Sequence, residues 1–558
     1  MHNLGRTENL IVNRDGDHNI SLYKTASIEN PLLCLLAEVE YHIHMSWKKE
    51  TDEITERRQL ARQQGGSEAI AKHHGRGRLT VRERIDKLLD RQSFEEVGPA
   101  AGAASYDDEG KLCKFDPANF VLGFGKVDGR RVVIGGEDFT MKGGSPSPAG
   151  LRKSVYAEEL AVQFKVPLIR LHEGSGGSVG GKGQSMPAPV NAPARFVSVA
   201  EAMATVPVAT AALGAVAGLP AGRLVASHFS VMSKTTAQIL TAGPAVVARA
   251  MGEQKTKEEL GGWKVHTKNG TVDNGAEDEE DCLKEIRRFL SFMPNNIYQL
   301  APIVDSSDPV ERAEECLLTI VPNDRRKSFD MRQIIEAVCD QTSFFEIGAG
   351  YGRSQITGLA RLNGQPVGVW ANNCKFLAGA MTADGANKAR RFMELCETFS
   401  LPIISLVDEP GFMIGSQAEK EATIRHGTST VLTAAMTTVP WASVMVRRSF
   451  GVAQAAHYGP EGFILAWPSA ESGPLPVEGG VAVAFQREIA AAPDPEKRRL
   501  ELEHELAAKQ SPFPRAEAFG VHDLIDPRQT RLQLCLWVDR IQPLLPTLLG
   551  PARFSIRP

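Results

Sequence analysis

The sequence lacks three features that would quickly assign it to a class: an excess of basic residues, closely spaced cysteines and a long apolar run. Its formal net charge of -4 disfavours a broad nucleic-acid surface. The longest apolar run near the start, Pro31–Ala37, is too short to cross a bilayer and follows polar rather than basic residues. We therefore expect no membrane anchor and no secretory signal. The expected location is the cytoplasm, or the mitochondrial matrix in a eukaryote, although no clear transit peptide is visible.

The eight cysteines are scattered along the chain, and no two of them form a CxxC pair. A zinc ribbon or a redox dithiol is therefore not expected, and the cysteine usage fits a reducing compartment. We expect no metal in this chain. Glycine, in contrast, is plentiful, with 51 residues that cluster in short runs. Such runs let the backbone approach a ligand closely.

The 558 residues, of which 42% are hydrophobic, suffice for about three domains or two large ones. Residues 1–44 differ from the rest because they are polar and lack periodicity. We predict that they form a disordered or loosely packed extension. From residue 46 onwards the apolar residues recur with helical spacing, and Thr80 is a predicted N-cap for a helix over residues 79–90.

An internal repeat accounts for most of the remaining chain. The matched segments are 123–176 with 358–411, at a separation of 235 positions, and 82–96 with 332–346, at a separation of 250 positions. Neither match needs a gap, and the seam lies near Pro294–Pro309, where prolines and serines punctuate the chain. We therefore predict an N-terminal domain over residues 45–300 and a C-terminal domain over residues 301–558.

Each copy shows the same succession of predicted elements. A strand pair joined by Asp128-Gly129 or Asn363-Gly364 comes first, and both dipeptides are strong hairpin signals. A glycine-rich loop, a helix and a short buried strand follow. The alternation of strands and helices predicts an α/β fold, in which ligands bind at the ends of the strands.

The densest glycine run, EGSGGSVGGKG over Glu173–Gly183, allows three interpretations. A Gly-x-Ser-x-Gly pattern around Ser178 matches the nucleophile elbow of serine hydrolases, but the residues that follow disfavour the required helix. The run also nearly forms a P-loop, but Gly183 stands where a hydroxyl is needed. Third, the glycines could present backbone N–H groups to an oxygen that becomes negative during a reaction. A purely structural turn is the remaining alternative.

A second pair of glycine loops is predicted about forty residues further along each copy. The loops are Gly214–Gly218, which follows Val206-Pro207, and Arg448–Ala453, which follows Val439-Pro440. Each half therefore offers two glycine loops after buried strands.

Several stretches resemble the carboxyltransferase β subunit of biotin-dependent acyl-CoA carboxylases, of the propionyl-CoA and acetyl-CoA carboxylase type. They are HHGRGRLTVRERIDKLLD (73–90), SFEEVG (93–98), DFTMKGGS (138–145), TKEELGGWKVHT (256–267), ISLVDEPGFMIG (404–415) and LAWPSAE (465–471). Each stretch alone would be weak evidence, but together they are specific. The resemblance covers roughly residues 47–549, about nine-tenths of the chain.

The resemblance implies two tandem crotonase-like domains in a homo-hexamer. In that family the N-terminal half binds acyl-CoA, and the C-terminal half of a neighbouring subunit binds carboxybiotin. Biotin is expected on a partner α subunit with biotin carboxylase and biotin carrier domains, because this chain has no Met-Lys-Met biotinylation site. The implied reaction transfers CO2 from carboxybiotin to the α-carbon of a short acyl-CoA.

The resemblance also implies a set of site residues. Gly176 and Gly177 match the pair that faces the thioester oxygen, and Val452 and Ala453 match the pair that faces the biotin ureido oxygen. The residues implied to contact substrate are Gly143, Gly144, Gly451, Gln454 and Ala455. The small Ala455 favours propionyl-CoA.

The sequence departs from the family pattern at the implied site. Val179 replaces an arginine, Val452 replaces a glycine, and Leu219-Pro220 stands where the family prefers glycine and alanine. Two further hypotheses therefore stay open. The chain could belong to a biotin-linked acyl-CoA decarboxylase or transcarboxylase, or it could be a non-catalytic scaffold subunit.

Overall fold

A computed structural model describes residues 46–176, 196–554 and 556, together with the backbone of two short strands near the start of the chain. The strands, β1 to β20, are Ile11–Arg14, Ile20–Tyr23, Glu95–Glu96, Gly102–Tyr106, Leu112–Pro117, Phe120–Val127, Arg130–Glu137, Leu168–Gly174, Val208–Ala217, Phe229–Ser233, Gln238–Leu240, Asn274–Ala276, Phe345–Ile347, Gln355–Leu362, Gln365–Asn372, Ile403–Glu409, Trp441–Phe450, Phe463–Ala466, Glu471–Gly473 and Asp523–Leu524.

The α-helices, α1 to α19, are Lys48–Gln63, Ser67–His74, Val81–Leu88, Pro148–Phe164, Val197–Thr205, Leu219–Val225, Pro244–Met251, Lys257–Gly261, Trp263–His266, Glu279–Phe292, Met331–Val338, Ala383–Thr398, Ser416–Lys420, Thr423–Met436, Val477–Ala484, Gln486–Ala491, Pro495–Gln510, Pro512–Glu517 and Thr530–Arg540. Short 3₁₀ turns lie at Lys142–Gly144, Glu315–Leu318, Leu377–Gly379, Ala453–His457, Pro527–Gln529 and Leu545–Leu548. Within the described ranges, no helix combines the length and apolar character needed to cross a membrane.

The chain divides into two compact units, of which the smaller comprises residues 1–62 and 104–115. In this unit β1 pairs with β2 in an antiparallel ladder. The helix α1 carries ion pairs four residues apart, such as Lys48 with Asp52 at 2.7 Å. The prediction that residues 1–44 form an extension stays a prediction.

The larger unit, residues 63–103 and 116–558, contains two eight-stranded sheets of the same design. The first sheet has the order β12-β10-β9-β8-β7-β6-β3, with β11 beside β9. The second has the order β13-β14-β15-β16-β17-β18-β20, with β19 beside β17. In both sheets the hairpin edge is antiparallel and the other pairs are parallel. We call the parts that carry these sheets the first half and the second half.

The predicted hairpins are present in both halves, and their surroundings are duplicated too. Asp128-Gly129 and Asn363-Gly364 all have positive φ, from 48° to 77°, as a two-residue I′ turn requires. The carboxylate of Asp90 accepts hydrogen bonds from both N–H groups of the first turn, at 3.0 and 2.7 Å. Asp340 does the same for the second turn, at 2.9 and 2.7 Å. The repeat in sequence therefore preserves side-chain contacts as well as backbone.

The first helix of the repeat is α3, which begins where the sequence predicts it. The Thr80 hydroxyl accepts from the Glu83 N–H, and the Glu83 carboxylate accepts from the Thr80 N–H, forming a capping box. The helices α4 and α12 begin in a common way, at Ser147 and Thr382, whose hydroxyls each accept from an N–H three residues on.

Two details of the sheets shape the strand ends. The ladder between β8 and β9 shifts register between His172 and Gly174, and the ladder between β16 and β17 shifts between Val407 and Glu409. The second predicted loops are shorter than expected, because β9 continues to Ala217 and β17 to Phe450. The ends of β9 and β17 pair with β11 and β19, which holds residues 215–217 and 448–450 in the sheets, so only the residues that follow form a turn.

Candidate functional site

The first turn of the first half follows β8, whose last residue is Gly174, and begins with Ser175 and Gly176. A Cβ on Gly176 would lie 2.8 Å from the Cα of Gly218, and one on Gly218 would lie 2.7 Å from the Cα of Gly176. The two glycines therefore touch through their backbones. No hydrogen bond of the Gly176 N–H is formed within the described part of the chain. Gly177 and Ser178 lie outside the described residues.

The glycines of the DFTMKGGS stretch support this first turn. Gly143 and Gly144 have φ of 62° and 68° in a 3₁₀ turn. The Gly143 carbonyl accepts hydrogen bonds from the N–H and the hydroxyl of Ser175, both at 3.2 Å. A Cβ on Gly144 would lie 2.6 Å from the Glu173 carbonyl oxygen. Both glycines thus fix the end of β8 by close backbone contact.

The second turn of the second half follows β17. Gly451 has φ of 65°, and Val452 has φ of -72°, so valine is accommodated there without strain. Val452 and Ala453 begin a 3₁₀ turn, and their N–H groups form no hydrogen bond within the described residues. The Val452 side chain is 63% exposed, whereas Ala453 is buried. The Val452 N–H is therefore open to a negative oxygen, and the unbonded Ala453 N–H lies directly beneath it.

The remaining predicted residues of this turn lie beside that pair. The Gln454 side-chain oxygen accepts a hydrogen bond from the Ser449 hydroxyl at 2.8 Å, which holds it against the end of β17. Ala455 is exposed, and its N–H donates to the Val452 carbonyl oxygen at 3.1 Å. The structure thus brings Gly451, Val452, Ala453, Gln454 and Ala455 together in one turn.

Sequence reasoning missed a buried carboxylate beneath the first turn. Glu173 contacts Arg84 at 2.7 Å, Arg78 at 2.9 Å and His73 at 3.3 Å. Burial alone would raise the pKa of Glu173, but Arg84, Arg78 and the hydrogen bond with His73 lower it below its ordinary value. Gly214 on β9 leaves room for it, because a Cβ there would lie 2.3 Å from the Glu173 carboxyl carbon.

Asp408 is the equivalent carboxylate in the second half, and sequence reasoning missed its role too. Arg447 and Arg448 on β17 bind it at 2.8 and 2.7 Å. Burial would raise the pKa of Asp408, but the two guanidinium groups lower it. Charged residues inside an apolar strand were the available signal for both carboxylates, since HE and DE interrupt otherwise hydrophobic runs.

A third missed group, Glu409, lies at the end of β16. Its carboxylate accepts hydrogen bonds from the Gly411 N–H at 2.8 Å and from the Asn372 amide at 2.9 Å. The His457 Nε2 lies 3.4 Å away, and the His457 Nδ1 lies 2.8 Å from the Ser405 hydroxyl. Burial raises the pKa of Glu409, although its donors partly offset this effect.

Ser405, His457 and Glu409 thus form a serine–histidine–glutamate chain, but not a hydrolase site. All three side chains are fully buried, and Ser405 lies inside β16. A nucleophile must reach its substrate, and Ser405 does not. Within the described ranges, no three metal-ligating side chains cluster in a way that could hold a metal ion.

Comparisons with known proteins identify the class. The carboxyl transferase domain family matches residues 72–539. A propionyl-CoA carboxylase carboxyltransferase subunit from Haloferax mediterranei is 32% identical over 503 residues, covering 88% of this chain and 95% of that protein. The α subunit of a methylmalonyl-CoA decarboxylase from Veillonella parvula is 30% identical over 471 residues, covering 84% and 91%.

Solved structures give the same answer. Transcarboxylase 12S, a hexamer solved with methylmalonyl-coenzyme A and methylmalonic acid bound, has a TM-score of 0.79 and 30% identity to this chain. The match covers 91% of this chain and 96% of that one. The family match and the fold therefore define a carboxyltransferase with two crotonase-like domains. This chain belongs to the carboxyl transferase family and is an enzyme of that class.

Proposed function

We propose that this chain transfers CO2 between carboxybiotin and the α-carbon of a short acyl-CoA, with propionyl-CoA favoured. The observation that carries the proposal is the pair of turns at the ends of the parallel strands. The first-half turn presents the Gly176 N–H, and the second-half turn presents the N–H groups of Val452 and Ala453. Both formation of the acyl-CoA enolate and release of CO2 from carboxybiotin place negative charge on an oxygen, which backbone N–H groups stabilise.

The residues of the second turn suit the biotin ureido oxygen. The N–H groups of Val452 and Ala453 have no acceptor within the described residues, and the turn is held by Gly451 and Ser449. When bound, carboxybiotin would supply CO2 and a base for the α-proton. The chain itself would hold the two oxygens and exclude water, and each N–H donor contributes about 3 kcal/mol to the transition state.

The first turn suits the thioester oxygen. Gly143 and Gly144 fix the end of β8, so the Gly176 N–H is oriented before substrate binds. We further propose that Gly177, outside the described residues, adds the second donor. Positioning of two substrates would supply most of the remaining rate enhancement.

We also propose that biotin arrives on a partner α subunit and that the chain assembles as a homo-hexamer. The hexameric relative transcarboxylase 12S supports the second point. The domain boundaries at residues 45, 300 and 301 agree with the order of the two sheets and stay part of this proposal. The cytoplasmic location expected from the sequence likewise stays a prediction.

Reconstitution with a biotin-carrying α subunit tests the proposal. Bicarbonate, ATP and propionyl-CoA should yield a carboxylated acyl-CoA only when both chains are present. A biotin-specific blot of this chain alone should be negative. Covalent biotin on this chain, or carboxylation without a biotin-bearing partner, would contradict it.

One observation favours a second direction of the same chemistry. The match to a methylmalonyl-CoA decarboxylase subunit covers 84% of this chain. Decarboxylation of methylmalonyl-CoA would use the same two turns in reverse. Measuring biotin-dependent loss of CO2 from methylmalonyl-CoA beside the forward reaction distinguishes the two.

A further inference from the structure

The duplication gives each half two turns at which backbone N–H groups could bind a negative oxygen. The first turns correspond at a separation of 235 residues, so Gly176 matches Gly411. The second turns correspond at a separation of 233 residues, so Gly218 matches Gly451. Gly218 and Gly451 both have φ of 65°, which confirms that the turns are equivalent. The two halves together therefore have four turns of this kind, of which the proposed reaction uses two.

The first turn of the second half is already occupied from within. The Gly411 N–H, which corresponds to the Gly176 N–H, donates to the Glu409 carboxylate at 2.8 Å. Glu409 corresponds to Gly174 in the first half. Gly174 has no side chain to take this place, and a Cβ there would lie 3.1 Å from the Glu137 Cγ. Among the described residues, the Glu409 carboxylate therefore has no counterpart at the equivalent position of the first half.

The contacts around Glu409 show that it acts as an acceptor. The Ser405 hydroxyl lies 2.8 Å from the His457 Nδ1, and if it donates there, the Nε2 carries the proton. Nε2–H then donates towards Glu409, as do the Asn372 amide and the Gly411 N–H. His457 also stacks on Trp370, with ring centroids 3.9 Å apart, so its ring is fixed. These three donors favour the ionised carboxylate, in opposition to the burial that raises its pKa, and so make an internal anion site.

The second turn of the first half is impaired in a different way. Pro220 corresponds to Ala453 and has no N–H, so this turn lacks one of the two donors. It continues into α6, and Pro220 is buried. Each half thus has one turn that cannot bind a substrate oxygen with two N–H donors. In the first half it is the second turn, and in the second half it is the first turn.

We infer that Glu409 is an internal anion that fills the redundant first turn of the second half. Each half then keeps one turn for a substrate oxygen: the first turn in the first half and the second turn in the second half. Glu409 is accordingly a positioning residue, because it fixes Gly411 and, through His457, the end of the 3₁₀ turn that begins at Ala453. What the two remaining turns bind rests on the proposed function, but the occupancy by Glu409 does not.

Replacement of the carboxylate by a free anion tests this inference. Glu409→Ala should empty the turn, lower Tm by about 4 °C or more, and raise amide exchange in peptides that contain residues 410–413. Formate well above its dissociation constant should bind the emptied turn and restore both properties, because a ligand that binds only the folded state stabilises it. Formamide has the same shape without the charge and should restore less. Carboxyl transfer should fall at least tenfold in Glu409→Ala and recover with formate.

Glu397→Ala is the matched control. Glu397 is a buried carboxylate that accepts from the Thr438 N–H at 2.8 Å, at the opposite end of β17 from the second turn. Its loss should lower Tm but leave exchange at residues 410–413 and carboxyl transfer at permissive temperature unchanged. Glu409→Gln, which keeps an acceptor for Gly411, should lie between the wild type and Glu409→Ala in every measurement.

Two results would overturn the inference. One is a Glu409→Ala protein whose stability and exchange do not respond to formate more than to formamide. If that variant does not fold, the wild type still decides, because the Gly411 N–H should be protected from exchange while the exposed, unbonded Val452 N–H exchanges quickly. Equal exchange at these two amides is the second contradicting result. Failure of the proposed function would be recognised separately. In that case the Glu409→Ala protein responds to formate as expected, but the wild-type protein transfers no carboxyl group.

Discussion

The two halves share the order and direction of their strands but differ at every turn that could bind a substrate oxygen. The first half keeps its first turn open, with Gly174 beneath it, and has Pro220 in its second turn. The second half fills its first turn with Glu409 and keeps its second turn open at Val452 and Ala453. Duplication therefore conserved the scaffold, while the chemistry was divided between the copies by changes of single residues.

The buried carboxylates show the same division. Glu173 and Asp408 occupy equivalent positions, and each contacts two arginines. The arginines come from different elements, since Arg84 lies on α3 and Arg447 on β17. Gly214, which corresponds to Arg447, makes room for Glu173. In both halves arginines neutralise the buried carboxylate, but the arginines stand at different positions in the two halves.

The largest effect on activity is expected at the backbone contact between Gly176 and Gly218 in the first half. In Gly176→Ala the added Cβ would lie 2.8 Å from the Gly218 Cα, so one of the turns must move. A displacement of about 1 Å costs about a hundredfold in rate. We expect kcat/KM for acyl-CoA to fall a hundredfold or more.

Gly252→Ala is the control for that variant. Gly252 also stands at a turn, with φ of 74°, but a Cβ there meets no atom within 4 Å. It should cost about 1 kcal/mol of stability, from backbone strain alone. It should leave kcat/KM unchanged. Equal activity of the two variants would show that the glycine contact has no catalytic role.

The next effect comes from exchanging the second turns between halves. Ala453→Pro removes the N–H that Pro220 already lacks in the first half, and should lower kcat about a hundredfold, as for the loss of one oxyanion donor. KM for acyl-CoA should change little, because the first half is intact. Pro220→Ala restores an N–H in the first half and should change kcat less than threefold. The measurement is steady-state kinetics on both variants. A small change of kcat in Ala453→Pro together with a large change in Pro220→Ala would contradict the assignment of the turns.

A smaller effect is expected on substrate choice at Ala455, which is exposed beside the open turn of the second half. Ala455→Ile should shift the ratio of kcat/KM between propionyl-CoA and acetyl-CoA or butyryl-CoA by about tenfold, since one methylene is worth about 1–3 kcal/mol. The measurement is kcat/KM for the three substrates in both forms. An unchanged ratio would show that residue 455 does not line the acyl pocket.

The smallest effect is on stability and compares two equivalent lysines. Burial lowers the pKa of Lys153 to about 8 and that of Lys388 to about 7. Between that pKa and the unfolded value near 10.5, the unfolded chain binds more protons, so wild-type stability rises with pH by at most about 1.4 kcal/mol per unit for each lysine. Below the folded pKa this contribution stays at its minimum.

Replacement by methionine should remove that slope in a half-specific way. In urea unfolding, Lys388→Met should flatten the rise in stability from about pH 7 upwards, and Lys153→Met only from about pH 8. Each variant should gain most over the wild type at the lower pH. A parallel pH dependence in wild type and variants would contradict the assignment.

The fold could be predicted from the sequence because the repeat carries local signals in both copies. Asp128-Gly129 and Asn363-Gly364 demand hairpins, and Thr80 with Glu83 demands a helix start. The lengths of β9 and β17 could not be predicted, because their ends are held by β11 and β19, which pair with them only in the folded sheets. The confirmed duplication and the family rest on such long matches.

The candidate site was predictable only in its backbone. Glycine runs mark turns, and the family resemblance named Gly143, Gly144, Gly176 and Gly451, which the structure places in turns; their roles stay a prediction. The roles of Glu409 and His457 were not, because 48 residues separate them in sequence and only the parallel pairing of β16 with β17 brings them together. Compensation of buried charge by arginines from different elements is likewise a property of the fold, not of a motif.

Mixing two inactive variants tests most directly whether each half contributes one open turn and whether, as the family resemblance implies, each site is shared between subunits. Gly176→Ala damages only the first-half turn, and Ala453→Pro only the second-half turn. Unfolded together and refolded as mixed oligomers, they should regain about one quarter of wild-type carboxyl transfer, since random pairing restores one intact site in half of the subunit pairs. A mixture that stays as inactive as its separate components would contradict the account.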